Sequence, residues 1–424
     1  MSKIIFAFLT YLALPFFCVY AQFKPNLRKS FSERLGLGNW KSLPQADNYI
    51  WIHGASVGEI NGLAEVFEKF NELPQLAKYK RIITTTTLTA WQTVRDKKYA
   101  YFNSLLPLDA PAIVKTVITR IQPKLFIATE TELWPNLFFA LKKNNIPIIL
   151  INARISDYSF PKYLKFKKIL RPVLDCLDLV LAQTALDAER LEQIGITQAK
   201  IHIVGSTKYD KKILPAVDKE NLGLAPTAPT LIAGSIRPQE DELIIKAYQQ
   251  VLNKGFQELQ LIIAPRHLED CPAVAEKLKS AGLDFKLRSE MNSNAHDSLE
   301  GKATQVLLLD TLGELSQLYS AADIAFIGGS LVNIGGHNPL EAAAYCKPVI
   351  MGQYNSNVHE VVSDLKKVGG IFEVHNEEEL VRVIMKLLNA KNVYKSVATT
   401  AFSVWQKHQG ATARVIEHIL HYEL

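Results

Sequence analysis

The chain has 424 residues, 48% of them hydrophobic and 21% charged, too long for one ordinary core and too apolar for wholesale disorder. Its net charge of +6 is mild, so it suits a membrane surface or an anionic substrate; without zinc-finger spacing or an aromatic-rich RNA-binding signature, nucleic acid is not an expected partner. Four scattered cysteines, Cys18, Cys176, Cys271 and Cys346, form no C-x-x-C pair, which argues for a reducing compartment and against a disulfide framework.

Residues 4–23 are almost wholly apolar. A helix of that length just crosses a hydrocarbon layer, which needs roughly 20 residues. Pro15 kinks it, which leaves open a helix lying in the interfacial plane. Lys24, Arg28, Lys29 and Arg34 follow the run and only Lys3 precedes it, so the positive-inside rule puts the rest of the chain on the cytoplasmic face. Val19-Tyr20-Ala21 also fits a signal-peptide cleavage site. The downstream basic residues oppose export, so a membrane anchor over 1–23 is the expectation.

Beyond it, short apolar runs alternate with helical stretches. Strands are expected at 49–53, 81–86, 125–129, 148–152, 179–183 and 201–204, with a helix near 59–70. A polar stretch with Pro215, Pro226 and Pro229 then breaks the pattern. The alternation restarts at 231–233, 259–264, 306–309, 324–327, 348–351 and 371–374. The expected fold is α/β, with two doubly wound Rossmann-like domains facing a cleft, at 24–212 and 230–401. A linker over 213–229 joins them. Chemistry in such sheets sits in the strand-to-helix loops.

Several of those loops carry suitable residues. His53-Gly54-Ala55-Ser56-Val57-Gly58-Glu59 presents Glu59 as a base for an acceptor hydroxyl, while Ser56-x-x-Glu59 equally reads as a capping box. In Thr129-Glu130-Thr131-Glu132-Leu133-Trp134-Pro135-Asn136, extended geometry puts two carboxylates on one side of the chain; the other reading is a solvated loop before a helix opened by Pro135. Gly328-Gly329-Ser330 and Gly335-Gly336-His337-Asn338-Pro339-Leu340-Glu341 form a glycine-rich helix opening with backbone N–H groups for a phosphate, and it is neither a Walker loop nor a dinucleotide fingerprint. Arg266, at a strand end, suits a phosphate or a sugar carboxylate, and Lys208, at another, suits the charge on a departing phosphate; the other reading of each is a surface cation at a strand end, the commoner case. His53, His267 and His337 lack metal-ligand spacing, so no metal is expected. Residues 158–171 mix five basic side chains with aromatics, which fits either a helix resting on anionic lipid or a solvated face backed by core.

Taken together these motifs resemble the transferases of 3-deoxy-manno-octulosonic acid (Kdo) in lipopolysaccharide synthesis. The matching runs, in order, include His53–Glu59, Glu130–Asn136, Asn152-Ala153-Arg154-Ile155-Ser156, Gly205-Ser206-Thr207-Lys208-Tyr209-Asp210, Pro265-Arg266-His267, Asp310-Thr311-Leu312-Gly313-Glu314 and the stretch from Phe326 to Ala343. The resemblance implies a GT-B fold, acceptor domain first, and a carboxy-terminal helix over 402–424 crossing back to the first domain. It implies an inverting transfer of Kdo from CMP-Kdo to a lipid A precursor at the inner membrane, without a cofactor. Glu59 is then the base, and Glu130 and Lys208 stabilise the transition state. Pro265, Arg266, Leu312, Gly313, Glu314, Asn338, Pro339, Leu340 and Glu341 hold CMP. Two loops depart from the family: Thr84–Ala90, where relatives often end in Thr-Gly, and Gly234-Ser235-Ile236-Arg237-Pro238-Gln239-Glu240, where many have Ser-Thr-His-x-Gly-Glu. The competing readings are another GT-B enzyme using a UDP-sugar, and a non-catalytic membrane scaffold.

Overall fold

The computed structural model describes residues 2–24, 27, 28, 30–44, 48–291 and 304–422; Lys29, Glu423 and Leu424, which belong to segments discussed above, lie outside them. The chain forms two compact units, one from Met1–Lys211 with His408–Leu424 and one from Lys212–Lys407.

The first unit is built on seven strands: β1 (Tyr49–His53), β2 (Lys80–Thr85), β3 (Phe102–Leu105), β4 (Leu125–Thr129), β5 (Ile148–Ala153), β6 (Leu179–Ala182) and β7 (Ile201–Ile203). They pair in parallel in the order β3-β2-β1-β4-β5-β6-β7. Every residue of β1, β4, β5 and β6 is buried, as expected of strands covered on both faces. Their side chains alternate between two cores: Trp51, Phe126 and Leu150 face Trp40 and Phe138 on one side, and Ile50, Ile52 and Ile127 face Phe67 and Val415 on the other.

The second unit has seven more strands: β8 (Thr230–Ile236), β9 (Gln260–Pro265), β10 (Phe285–Leu287), β11 (Val306–Leu308), β12 (Ile324–Ile327), β13 (Val349–Gly352) and β14 (Ile371–Val374). Their parallel order is β10-β11-β9-β8-β12-β13-β14. In each sheet the order reverses beside the first strand, at β1/β4 and at β8/β12. Loops diverge there and leave a crevice beyond the strand ends.

Three segments differ in detail from the sequence reading. The helix expected at 59–70 is two helices, Val57–Gly62 and Ala64–Glu72. A Cβ on Gly62 would lie 2.6 Å from Lys208 Cγ, so the lysine stem packs directly on that turn. The basic segment forms two short helices, Phe160–Lys165 and Lys167–Leu174, with Phe160, Tyr163 and Leu170 on the core. Residues 402–420 are divided between the units: Lys391–Lys407 is one helix, Gly410 turns the chain at φ +82°, and Ala411–Leu420 packs on the first unit.

The amino-terminal helix Ser2–Gln22 is, among the described residues, the one long and apolar enough to cross a membrane. It docks along the first unit: Phe6 meets Phe139 at 6.3 Å between ring centres, Asn136 Nδ2 donates to Thr10 Oγ1 at 3.1 Å, and Ala21 is buried.

Candidate active site

Glu59 is the third residue of the helix Val57–Gly62. Its backbone N–H donates to Ser56 Oγ at 3.3 Å, the N-cap half of the capping box read in the sequence; the returning bond to the carboxylate comes from Ala55 N, one residue earlier than a standard box. Its carboxylate does more than cap. Oε1 accepts from Ser56 Oγ at 2.9 Å, while Oε2 accepts from Ala55 N at 2.9 Å and from Thr129 Oγ1 at 2.5 Å. The side chain is buried, and Ser56 and Thr129 tie it to the ends of β1 and β4, at the switch point. An ionised carboxylate has about four lone-pair positions. Three are filled by described residues, and the open one is on Oε1.

The two glutamates after β4 do not share a side. Glu130 has φ +52°, a left-handed conformation that turns the chain and breaks the extended geometry expected for this loop. Its carboxylate pairs with Lys208 Nζ, whereas Glu132 Oε2 stands 3.6 Å from His53 Nε2. His53 is fully buried; its Nδ1 lies 3.0 Å from the Thr84 carbonyl oxygen, which only accepts, so Nδ1 carries a proton. The loop is further fixed by Thr131 Oγ1, which donates to the Arg154 carbonyl.

Lys208 is positioned by its neighbour Thr207. Thr207 Oγ1 donates to the Gly62 carbonyl at 2.6 Å, and Asn152 clasps Thr207 with Nδ2 to Oγ1 at 2.7 Å and Oδ1 from the amide N at 3.0 Å. Asn152 is buried and has φ +53°, at the irregularity of β5. The roles of Thr129, Asn152 and Thr207 were not read from the sequence, although the quoted motifs contain all three; their partners lie 55 to 145 residues away. Ala90, one of the departures, is fully buried and packs on the core.

In the second unit, the glycine turn after β12 differs from its expected use. Gly329 N, Ser330 N and Leu331 N all donate to Glu240, at 2.6, 2.8 and 2.8 Å, and Arg237 N adds a fourth bond at 2.9 Å. The buried Glu240 carboxylate is thus saturated, and these N–H groups are not free for a phosphate. Gly336 N and His337 N donate to Gly329 O and Gly328 O. Asn338 Oδ1 accepts from Leu340 N at 3.0 Å and so opens the helix Leu340–Ala343, which is only four residues long. Pro339 and Leu340 are buried; burial raises the Tyr319 and Tyr345 phenols, and the Glu341 carboxylate nearby adds to both shifts.

Pro265 ends β9, and Arg266 is exposed just beyond it. Glu314 is held by Arg288 Nε at 2.9 Å and Thr311 Oγ1 at 2.7 Å, which leaves Leu312 75% exposed at the tip of the loop, next to Gly313 at φ +91°. Arg237 reaches His267, with Nη1 to Nε2 at 2.5 Å, and His337 stands near both. Burial and the surrounding cations push the His337 imidazole down to about 4. No His, Cys, Asp and Glu cluster able to hold a metal occurs among the described residues.

Two seven-stranded parallel sheets, each with a polar constellation at its switch point, define the GT-B architecture. Solved structures of that architecture agree on the fold: a UDP-N-acetylglucosamine 2-epimerase is 16% identical with a TM-score of 0.58 over 89% of this chain and 96% of its own. A glycosyltransferase from Rickettsia africae is 14% identical, with a TM-score of 0.55 over 88% and 97%. Residues 29–211 match the family model for 3-deoxy-D-manno-octulosonic-acid transferase, and residues 230–403 that for glycosyl transferases group 1. The 3-deoxy-D-manno-octulosonic acid transferase of Haemophilus influenzae is 35% identical over 94% of this chain and 92% of its own length. That of Aquifex aeolicus is 32% identical over 84% and 90%. The chain belongs to the Kdo transferase family.

Proposed function

We propose that this Kdo transferase takes the sugar from CMP-Kdo and places it, with inversion, on a hydroxyl of a lipid A precursor. In this reading the first unit carries the base and the second holds the donor nucleotide through Pro265, Arg266, Leu312–Glu314 and Asn338–Glu341. The acceptor oxygen forms a bond to the anomeric carbon of Kdo as the bond from that carbon to the phosphate oxygen breaks. The electron pair leaves with CMP and the hydroxyl proton passes to Glu59. Lys208, oriented by Glu130, meets charge developing on the departing phosphate. A monophosphate leaving group carries less charge than a diphosphate, which suits side chains without a metal.

The observation that carries the reading is the Glu59 carboxylate: three donors fix it at the β1/β4 switch point, and one lone pair on Oε1 stays open for a proton. Full-length protein given CMP-Kdo and a tetra-acylated lipid A precursor should yield an acceptor heavier by one or more Kdo residues in mass spectrometry, with UDP-sugars left unconsumed. Glu59→Gln keeps the size and loses the base, so transfer should fall about 10²- to 10⁴-fold. Transfer by Glu59→Gln within a few-fold of wild type would remove Glu59 from the base role.

We further infer that the protein works at the cytoplasmic face of the inner membrane with its first helix in the interfacial plane. One stripe of that helix is held on the first unit through Phe6, Thr10 and Ala21, while Ile4, Phe8, Leu12, Phe16 and Val19 on other faces are exposed. Exposed Tyr158, Phe166 and Ile169, with Lys162 and Lys165, add a basic, apolar surface suited to anionic lipid.

A further inference from the structure

Glu240 takes the N–H groups of Gly329, Ser330 and Leu331 after β12, so an anion at this end of the sheet cannot use them and side chains become its main donors. Such side chains converge there. Arg237 follows the end of β8, Arg266 and His267 follow β9, and His337 stands in the loop after β12. A guanidinium only donates, so the 2.5 Å contact from Arg237 Nη1 makes His267 accept at Nε2. With Nη1 engaged, the edge formed by Nε and Nη2 is left to meet a ligand. Arg237 Nε is shielded from solvent and has no hydrogen-bond partner among the described residues, and the same holds for His337 Nε2. Buried polar atoms without partners are uncommon and call for an explanation.

The backbone supports the same conclusion. Ser235 has φ +56° and Gln239 has φ +79°, both left-handed and neither glycine. The pairing of β8 with β9 shifts register between Gly234 and Ile236. This local strain turns the Arg237 loop toward β9, and such strain concentrates at functional sites. Two guanidiniums, Arg266 and Arg237, act on His337, and no acidic group among the described residues acts on it. The nearby carboxylate of Glu240 is already saturated, so among the described residues the two guanidiniums have no carboxylate partner.

We propose that Arg237, with His337 beside it, binds an oxyanion of the nucleotide-sugar donor, either its phosphate or the carboxylate of its ulosonic acid, and so helps to select that donor. This assignment rests on reading the second unit as the CMP-Kdo site. The Nε–Nη2 edge is a two-donor fork that fits either oxyanion, and His337 supplies a neutral imidazole whose Nε2 is free to complete the contact.

The test compares full-length wild type with Arg237→Gln and Arg237→Lys, by initial rates with CMP-Kdo and by calorimetry with CMP and cytidine. Arg237→Gln should raise KM for CMP-Kdo about 10- to 100-fold, a charged contact's worth, with a smaller change in kcat and unchanged thermal unfolding. Arg237→Lys keeps the charge without the fork and should fall between. A parallel loss of CMP affinity identifies the phosphate as the partner, and unchanged CMP affinity identifies the carboxylate; cytidine should bind all three proteins equally. Saturating CMP or CMP-Kdo should also move the His337 imidazole titration, followed by NMR, back up toward its ordinary range, because the added anion offsets the surrounding cations. Unchanged KM and unchanged CMP affinity in Arg237→Gln would overturn the role of Arg237 alone. A wild type that neither binds CMP nor consumes CMP-Kdo would overturn the donor reading, and this assignment with it.

Discussion

Glu59 shows how one residue satisfies two readings that compete in the sequence. The cap uses its backbone N–H, and three donors orient the carboxylate without filling it. Ser56-x-x-Glu59 is visible as a local pattern, whereas the Thr129 bond spans 70 residues and has no local signature. Titrating residues elsewhere set the acid behaviour of the fold. Asp109 accepts from Asn136 N at 3.0 Å and Leu137 N at 2.7 Å, and burial, outweighing these bonds, raises it from 3.8 to about 6. Its folded form holds the proton more tightly than the unfolded chain, so its contribution to stability is present below pH 3.8 and lost as pH rises through about 6. His337 has the opposite sign. Its folded value of about 4 lies below 6.5, so its contribution is present above pH 6.5 and lost as pH falls toward 4. The two slopes oppose each other between pH 4 and 6. Asp109→Asn removes one of them, so its melting temperature should fall more steeply than that of wild type as pH drops from 6.5 toward 4. Equal slopes in thermal scans would show that Asp109 is ionised throughout.

At the scale of elements, legibility followed burial. β1, β4, β5 and β6 are unbroken apolar runs and were plain in the sequence. β3 (Phe-Asn-Ser-Leu) and β10 (Phe-Lys-Leu), at one edge of each sheet, were not, because they are short and polar residues break their runs; β7 and β14, at the opposite edges, were, since Val204 lengthens the apolar run of β7 and Ile371, Phe372 and Val374 mark β14. The first helix was legible as an apolar span, but its docked stripe was not, since length and composition say nothing about which residues meet Asn136 or Phe139. That stripe decides how the helix meets a membrane. A span of about 30 Å, the hydrocarbon thickness, would carry the docked surface of the first unit into lipid. An in-plane helix keeps it in the headgroup layer. Membranes containing the protein should therefore release it into alkaline carbonate, where spanning proteins stay in the pellet. Retention after such a wash would favour a helix that leaves the unit and crosses. Phe8→Asp, on an exposed face, should weaken binding to anionic vesicles without altering thermal unfolding of the protein in detergent.

The path of the whole chain ties the two units together in sequence. It leaves the first unit after Lys211, completes the second by Lys407 and returns for the last helix. Asp210, at the first crossing, receives that return: its carboxylate accepts from Gly410 N at 3.0 Å and from Thr412 N at 2.6 Å. Arg414 Nε adds a bond to the Val204 carbonyl at 2.8 Å. Val415, Ile416 and Ile419 then complete the apolar core that also holds Ile50, Ile52 and Phe67. Burying three such side chains contributes about 5 kcal/mol or more, comparable with the entire stability of many domains. A chain ending at Lys407 should accordingly fail in the first unit, not in the second, which it leaves intact. Limited proteolysis should degrade residues 1–211 of that truncated chain while a fragment close to 212–407 persists. Asp210→Ala removes only the cap, at about 1–2 kcal/mol, so it should lower the melting temperature without changing which unit resists the protease. A truncated chain whose first unit resisted proteolysis as well as wild type would show that β1–β7 and their helices form a complete core without the returning helix.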